Sequence, residues 1–267
     1  MKEHFKYLLT LILMLQTVGG ELSGESRLTV HLQELSPRSP EAINANWPRF
    51  NGPNDNAISP ETKISTKWDS LGPTLAWELV KGEGYASPAI QDSILVLFHR
   101  MSGMEMVEAL HAENGTKIWN YEYPVNYRDR YGYSNGPRAS PVIHNGRVYL
   151  HGVTAWLTCL DLKTGKLIWN RNLKDEFKIP EYFFGKGSNP LVLGKNLIVN
   201  IGGANEACVV SFDLENGKTR WIARSPWGAS YSSPVAANIS NKTVCLVFAG
   251  GESRPPAGGL LVIEPKF

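Results

Sequence analysis

The sequence has few cysteines and almost no excess of charge of either sign. Its three cysteines, Cys159, Cys208 and Cys245, are an odd number without C-x-x-C spacing, which argues against a disulfide framework and a zinc site. We expect them to be small buried hydrophobic side chains. The 27 Lys and Arg residues balance 25 Asp and Glu residues, giving a formal charge of +2 without a basic run. No nucleic-acid partner is therefore expected.

Known catalytic and metal-binding patterns are also lacking. There is no P-loop and no Gly-x-Ser-x-Gly, and the six histidines are scattered. We therefore expect no catalytic residues and no metal site. Helical periodicity is not sustained over three turns anywhere, while hydrophobic residues reach 42% and aromatic residues 10%. This composition predicts an all-β protein with a packed core.

The N-terminus is typical of a protein exported from the cytoplasm. Lys2 and Lys6 flank an apolar run over residues 7–18, which is shorter than the roughly 20 residues that cross a bilayer. This pattern predicts a signal peptide over residues 1–20, followed by a linker over 21–45. A buried first helix or a retained anchor is the alternative. We expect the mature chain to be periplasmic or secreted, without a transmembrane segment.

A repeat of about fifty residues runs through the rest of the chain. Tryptophans 119, 169 and 221 are 50 and 52 residues apart, and a glycine stands four residues before each. A second marker, a Ser-Pro or Asn-Pro pair, keeps the same period. Such a period indicates a repeat architecture. The repeated motif residues are Gly115, Trp119, Asp161, Gly165, Trp169, Asp213, Gly217 and Trp221, and the second marker begins at Ser87, Ser140, Asn189 and Ser233.

Each unit reads as four short strands joined by tight turns. Asn145-Gly146, for example, suits the positive φ angles of a type I′ hairpin. Four antiparallel strands per unit predict the blade of a β-propeller. We expect propeller repeats over residues 46–267, with blades at about 85–123, 138–173, 187–223 and 231–267, the last one incomplete.

The motif A-x-D-x-x-x-G-K-x-x-W resembles the tryptophan-docking motif of the pyrroloquinoline-quinone (PQQ) type of propeller repeat. That repeat occurs in quinoprotein alcohol dehydrogenases, in the propeller lipoprotein of the outer-membrane barrel-assembly machinery, and in secreted bacterial propellers of unassigned activity. The resemblance covers residues 46–267. The first unit departs from the pattern, because His111 stands in place of Asp and Thr116 in place of Lys.

The resemblance implies, for the dehydrogenases, two adjacent cysteines over the quinone, a tryptophan floor, and a Glu, Asn and Asp set for calcium. This sequence has no adjacent cysteine pair and no Asp-rich loop. We therefore expect no cofactor, and the first hypothesis is a binding or scaffold module for a protein or another extracytoplasmic ligand. A PQQ-dependent oxidoreductase is the alternative, and a carbohydrate-binding propeller is the second alternative.

The loops between strands four and one, and between strands two and three, should share one face of a propeller. They carry many Tyr, Trp and Arg residues, which are enriched at binding hot spots. Ordinary solvated loops are the competing interpretation. The predicted ligand-binding residues are Tyr127, Arg128, Arg130, Tyr131, Arg138, Trp156, Glu206, Trp227, Tyr231 and Arg254.

The fourth unit stops before its expected Gly and Trp strand. The segment around Trp77 resembles an outer strand without a preceding blade. Trp77 could complete the fourth unit and close a small ring. The expected outcome is instead an incomplete ring with exposed sheet edges.

Overall fold

The computed structural model of the chain describes residues 26–32, 39–68, 70, 72–251 and 257–265. The predicted signal peptide, residues 1–20, lies outside the described residues, as does Arg254. None of the helices within the described ranges is long and apolar enough to cross a membrane.

Two short strands precede four successive antiparallel sheets, which we call blades 1 to 4. The short strands are β1 (Leu28–Val30) and β2 (Trp77–Leu79). Blade 1 contains β3 (Ala89–Gln91), β4 (Ile94–Met101), β5 (Met104–His111) and β6 (Lys117–Pro124). Blade 2 contains β7 (Val142–His144), β8 (Arg147–His151), β9 (Trp156–Asp161) and β10 (Leu167–Asn172). A single helical turn, α1 (Leu173–Phe177), follows blade 2. Blade 3 contains β11 (Leu191–Leu193), β12 (Asn196–Asn200), β13 (Ala207–Asp213) and β14 (Thr219–Arg224). In the described part of blade 4 there are β15 (Val235–Ile239), β16 (Lys242–Ala249) and β17 (Gly259–Ile263).

Each blade has its strands side by side in chain order, which confirms the predicted all-β fold of four-stranded antiparallel propeller blades. The turns follow from local sequence. Asn145 and Gly146 both have positive φ angles, of 48° and 71°, as a type I′ hairpin requires.

The core lies between neighbouring blades. Phe98 and Trp119 of blade 1 pack with Ile143 and Leu160 of blade 2, and similar clusters join blades 2 and 3 and blades 3 and 4. The side chains that alternate toward a neighbouring blade are buried, and this face-to-face packing supplies most of the hydrophobic stabilisation.

The three cysteines are buried in three different blades, in β9, β13 and β16. Burial raises the pKa of Cys159 to about 12, of Cys208 to about 11 and of Cys245 to about 12. They are free thiols that act as small core side chains, as the sequence predicted.

Within the described residues, the strand of Trp77 does not join the sheet of blade 4. Strand β2 pairs with β1, with Trp77 opposite Val30, and the indole Nε1 donates a 3.0 Å hydrogen bond to the Ala112 carbonyl of blade 1. The ring of Trp77 lies against Gly115 of blade 1, as the ring of Trp119 lies against Gly165 of blade 2. Strand β1 lies inside the predicted linker of residues 21–45. The sequence did not reveal this strand, because three residues are too few to show an alternating pattern.

A buried ion cluster holds this end of the chain on blade 1. The Arg27 guanidinium binds both carboxylate oxygens of Glu108, at 2.9 and 3.2 Å, and His99 Nε2 lies 2.9 Å from the same group. Burial opposes ionisation of Glu108, but the hydrogen bonds from His99 and Arg27 outweigh it and lower its pKa to about 2.

Candidate ligand-binding face

The repeated tryptophans each dock on the blade that follows. Trp119 Nε1 donates to the Leu162 carbonyl at 2.9 Å, and its ring lies against Gly165, where a Cβ atom would meet it at 2.6 Å. Trp169 repeats the arrangement with the Leu214 carbonyl, at 3.1 Å. A glycine is required at the contacted position both for its positive φ and for the close approach of the indole.

Trp221 departs from this pattern. Its Nε1 donates to the Asn196 side chain of its own blade, at 3.2 Å, and the ring packs against the hydrophobic cluster between blades 3 and 4. No glycine of blade 4 among the described residues receives it.

The motif aspartates close the turns between the third and fourth strands. Asp161 Oδ1 accepts from the backbone N–H groups of Lys163 and Thr164, and Asp213 Oδ1 accepts in the same way from the two corresponding residues of blade 3. In blade 1, where His111 replaces the aspartate, the Asn114 side chain accepts from the Thr116 N–H at 3.0 Å. Blade 3 has the equivalent bond from the Lys218 N–H to Asn216, and the turn of blade 1 keeps its form through the backbone bond from the Gly115 N–H to the His111 carbonyl at 2.8 Å.

The second marker links the blades near the start of their first strands. The Ser87 N–H donates to Ser140 Oγ at 2.9 Å, the Ser140 N–H to Asn189 Oδ1 at 2.5 Å, and the Asn189 N–H to Ser233 Oγ at 2.9 Å. Together these hydrogen bonds form a continuous chain across all four blades. The marker residues are thus structural.

The loop between blades 1 and 2 is built around a buried carboxylate. Asp129 is 2% exposed, and its Oδ1 accepts from the N–H groups of Tyr131 and Tyr133 while its Oδ2 accepts from Arg138 at 2.7 Å. Burial opposes ionisation, but these N–H groups and the Arg138 guanidinium keep the pKa of Asp129 below its ordinary value. The carboxylate is therefore ionised at neutral pH, where it accepts the hydrogen bonds that hold the loop.

Aromatic side chains from three loops meet on this face. Tyr131 stacks on Phe183 with ring centroids 6.1 Å apart, and Phe184 lies 5.5 Å from the Tyr231 ring. Tyr231 also accepts the Phe184 N–H at 3.0 Å through its hydroxyl oxygen. The Arg138 guanidinium lies within 6 Å of the ring centroids of Tyr85, Tyr127 and Phe184. These contacts form a continuous aromatic and cationic surface.

A cleft of about 290 Å³ opens beside this surface, between the loops that follow blades 1 and 2. Its walls combine apolar residues with basic ones, and the Arg130 guanidinium lies 4.7 Å from the Phe183 ring centroid. Its basic and aromatic lining residues include Tyr127, Arg128, Arg130, Lys174, Phe183 and Lys186.

Six of the ten predicted binding residues lie on or beside the cleft: Tyr127, Arg128, Arg130, Tyr131, Arg138 and Tyr231. Trp156 does not, because it lines a separate cavity and its ring is 6.1 Å from that of Tyr123. Trp227 packs between blades 3 and 4, with its ring 2.9 Å from where a Cβ atom at Gly259 would lie. Glu206 occupies a turn with a φ of 61°, and its carbonyl accepts the Ser225 N–H.

The sequence interpretation missed the residues that the loop after blade 2 contributes, above all Phe183, Phe184, Lys174 and Lys186. The sequence itself contains a pattern that indicates this loop. Residues 182–184 are three consecutive aromatic residues between Trp169 and the Asn189 marker, so they occupy a connection from a fourth strand to a first strand.

A buried carboxylate supports one wall of the cleft. Glu105 is 0% exposed, and its oxygens accept from the Tyr123 hydroxyl at 2.6 Å and from the Val153 N–H at 2.9 Å. The Val153 carbonyl in turn accepts the Lys186 N–H at 2.9 Å. Burial raises the pKa of Glu105 to about 7, although the hydrogen bonds from Tyr123 and Val153 act in the opposite direction.

The described residues do not fit the cofactor set that the PQQ-type resemblance implies. The three cysteines lie in separate blades, so no two of them can form an adjacent pair over a quinone. In the described ranges, no three His, Cys, Asp or Glu side chains are grouped so that they could hold a metal ion.

Comparison with known proteins places the chain in a family. The family model described as "Outer membrane protein assembly factor BamB" matches residues 103–266, which is more than half of the chain. This chain belongs to the BamB family. Its PQQ-type repeats are the feature that the BamB family shares with quinoprotein dehydrogenases.

Individual relatives of this BamB-family chain fall into both groups. BamB of Moranella endobia is 25% identical over 225 residues, which cover 67% of this chain and 53% of that protein. The dehydrogenase subunit of a quinone alcohol dehydrogenase from Komagataeibacter europaeus is 29% identical over 161 residues, which cover 55% of this chain and 21% of that protein. The chain thus spans about half the length of the first and about a fifth of the second.

The fold is also similar to that of a solved structure, the quinohemoprotein alcohol dehydrogenase from Comamonas testosteroni. The TM-score is 0.51 at 17% sequence identity, and the match covers 77% of this chain and 35% of that one. At this identity the likeness concerns the propeller fold alone.

Proposed function

We propose that this chain is an extracytoplasmic binding module that holds an extended segment of another protein in the cleft between the loops following blades 1 and 2. The observation that carries the proposal is the construction of this face. Buried Asp129 fixes the first loop, and stacking of Tyr131 on Phe183 joins that loop to the second. A rigid surface of Tyr, Phe and Arg side chains loses little conformational entropy on binding.

The exposed aromatic rings of this surface favour a binding site over ordinary solvated loops. Tyr131 is 60% exposed and Tyr133 is 68% exposed, although both belong to the ordered aromatic cluster. Large aromatic side chains that are held in place and left open to solvent are typical of interaction sites.

The location outside the cytoplasm rests on two supports. One is the signal peptide expected over residues 1–20. The other is the name of the family, which describes BamB as an assembly factor of the outer membrane. We carry the scaffold character of that name to this chain as part of the proposal.

A quinone-dependent oxidoreductase is the alternative, and the similarity to quinone alcohol dehydrogenases favours it. The described residues offer neither the cysteine pair nor the calcium set. Adding the quinone and calcium to the purified protein tests the alternative directly. A quinone absorbance spectrum with alcohol-dependent dye reduction would replace the binding proposal.

An array of extended peptides of mixed sequence, probed with the purified chain, tests whether the chain is a peptide-binding module. We expect a subset of peptides to be retained, and we expect Phe183→Ala to abolish that retention, because it removes the ring on which Tyr131 and Arg130 lie. Trp156→Ala is the matched control, since this aromatic residue lines a different cavity. Retention of no peptide, or equal loss in both variants, would contradict the proposal.

A further inference from the structure

The cleft has an excess of positive charge. Four basic side chains, Arg128, Arg130, Lys174 and Lys186, line it together with a single acidic residue, Glu181. Lys174 pairs with Glu181 at 3.0 Å, and this hydrogen bond and charge lower the pKa of Glu181, with a further contribution from Arg130. The one acidic group is therefore ionised and already engaged.

The two arginines are available to a ligand. Arg128 and Arg130 are both exposed, and neither forms an ion pair with any residue in the described ranges. The guanidinium of Arg130 is held 4.7 Å from the Phe183 ring centroid. A stacked guanidinium keeps its planar set of N–H donors, which match the two oxygens of a carboxylate.

A third positive charge lies in the floor of the cleft. Lys186 is only 6% exposed, its Nζ donates to the Ile201 carbonyl at 2.9 Å, and the ammonium lies 3.7 Å from the Tyr182 ring centroid. A charge in this position is screened less by salt than a surface lysine. It therefore adds to the positive potential that an incoming anion meets.

The uncharged part of the lining favours polypeptide over sugar. Val153, Ile179 and Pro180 add apolar surface to the lining of the cleft. Among the lining side chains, only Asn126 and Glu181 carry the amide or carboxylate oxygens that accept hydrogen bonds from sugar hydroxyls, and Glu181 is paired with Lys174. Successive side chains of an extended peptide point in opposite directions, so a peptide that alternates acidic and apolar residues presents a row of each.

We propose that the cleft selects acidic segments of extended polypeptide, with Arg128 and Arg130 receiving the carboxylates and the apolar wall receiving the intervening side chains. This inference rests on the proposed binding function and names its ligand class. The charge balance of the lining and the stacked position of Arg130 carry it.

The experiment compares two labelled peptides by fluorescence anisotropy with the full chain: one alternates Glu with Val and Tyr, and the other has Gln in place of every Glu. We expect the Glu peptide to bind about tenfold more tightly, with the difference shrinking as salt is added. The double variant R128Q and R130Q should bring the two affinities to within about twofold of each other, since the carboxylates lose their partners.

The control is the double variant K163Q and K218Q, which removes two charges from turns between third and fourth strands, at the opposite ends of the blades. It should keep the full preference, and thermal melting should show that both double variants are folded. Equal binding of the two peptides by the wild-type chain would overturn the acidic selectivity while leaving the binding module in place. Binding of neither peptide, together with an empty peptide array, would instead overturn the binding function itself. If polygalacturonate displaces the Glu peptide and binds more tightly, an acidic glycan site replaces the peptide site.

Discussion

The indole of Trp169 lies directly against Gly217 of the following blade, and its Nε1 donates to the Leu214 carbonyl three residues before that glycine. The ring is 9% exposed and belongs to the core cluster between blades 2 and 3. One side chain of blade 2 thus contributes both apolar burial and a hydrogen bond to blade 3. The same relationship joins Trp119 to Gly165 and Trp77 to Gly115.

Replacing Trp169 with alanine should lower the free energy of unfolding by about 3–5 kcal/mol, as for other large buried aromatic residues. Trp156→Ala should cost much less, because Trp156 is half-buried at the edge of a cavity. Chemical denaturation of both variants measures the difference. Equal midpoints would mean that the docked tryptophan is not a principal contact between blades.

Gly217→Ala separates backbone strain from the contact with the indole. Gly217 and Gly146 have similar positive φ angles, of 69° and 71°, but a Cβ at Gly217 would meet the Trp169 ring at 2.7 Å, whereas nothing lies within 4 Å of one at Gly146. Gly146→Ala should cost about 1–2 kcal/mol from the left-handed backbone alone. Gly217→Ala should cost a further 1–3 kcal/mol or so from overpacking. Urea unfolding of both variants tests this, and identical losses would show that the indole moves aside freely.

The pH dependence of stability should depend on Glu105. Its pKa is about 7 in the folded protein and 4.5 ordinarily, so the folded state binds more protons than the unfolded chain between these values. The contribution of Glu105 to the free energy of unfolding should therefore fall as the pH rises through this window, by up to about 3 kcal/mol. Burial lowers the pKa of His151 to about 4, so His151 contributes with the opposite sign below about pH 6.5, and the Glu105 contribution has to be measured as a difference between the wild-type chain and a Glu105 variant.

Glu105→Gln removes this titration and retains an oxygen that can accept the Val153 N–H. The unfolding free energy of the wild-type chain minus that of this variant should therefore fall as the pH rises from about 5 to 7. Glu122→Gln, at an exposed position on β6, is the control and should keep the wild-type slope. Parallel slopes in the wild-type chain and Glu105→Gln would show that Glu105 does not titrate in this range.

Substitution of Asn189 tests whether the chain of hydrogen bonds between the blades contributes to stability. Its Oδ1 accepts the N–H of Ser140, which is 2% exposed. Asn189→Ala should leave that donor without a partner and cost about 1–3 kcal/mol. Asn189→Ser places at this position the residue that the other three units carry, and it should recover part of the loss. Thermal melting compares the two variants, and an alanine variant as stable as wild type would contradict the structural role.

The repeat could be predicted from the sequence because it is carried by residues whose requirements are local. A positive φ needs a glycine at Gly217, a type I′ hairpin needs Asn145 and Gly146, and the period places the tryptophans on equivalent strands. None of these inferences required knowledge of a partner distant in the chain.

The remaining features depend on contacts between distant segments. The β1 and β2 pairing joins residues 28–30 to 77–79 in strands of three residues, too short for periodicity to reveal. The raised pKa of Glu105 follows from burial, which the sequence around Met104 does not show. The meeting of Tyr131 with Phe183 joins two loops on either side of a blade, and the sequence suggested the first loop while the aromatic run of the second was missed.

The docked tryptophans have a consequence for how such chains change in evolution. The interfaces between blades 1 and 2 and between blades 2 and 3 each use an indole from one unit and a glycine turn from the next, and the blade 2 repeat carries both, in Trp169 and Gly165. A duplicated copy of that repeat would bring with it a complementary surface for each neighbour. The number of units can therefore grow or shrink by recombination without new compensating substitutions at the junctions, because stability in such arrays is a sum of nearest-neighbour contributions.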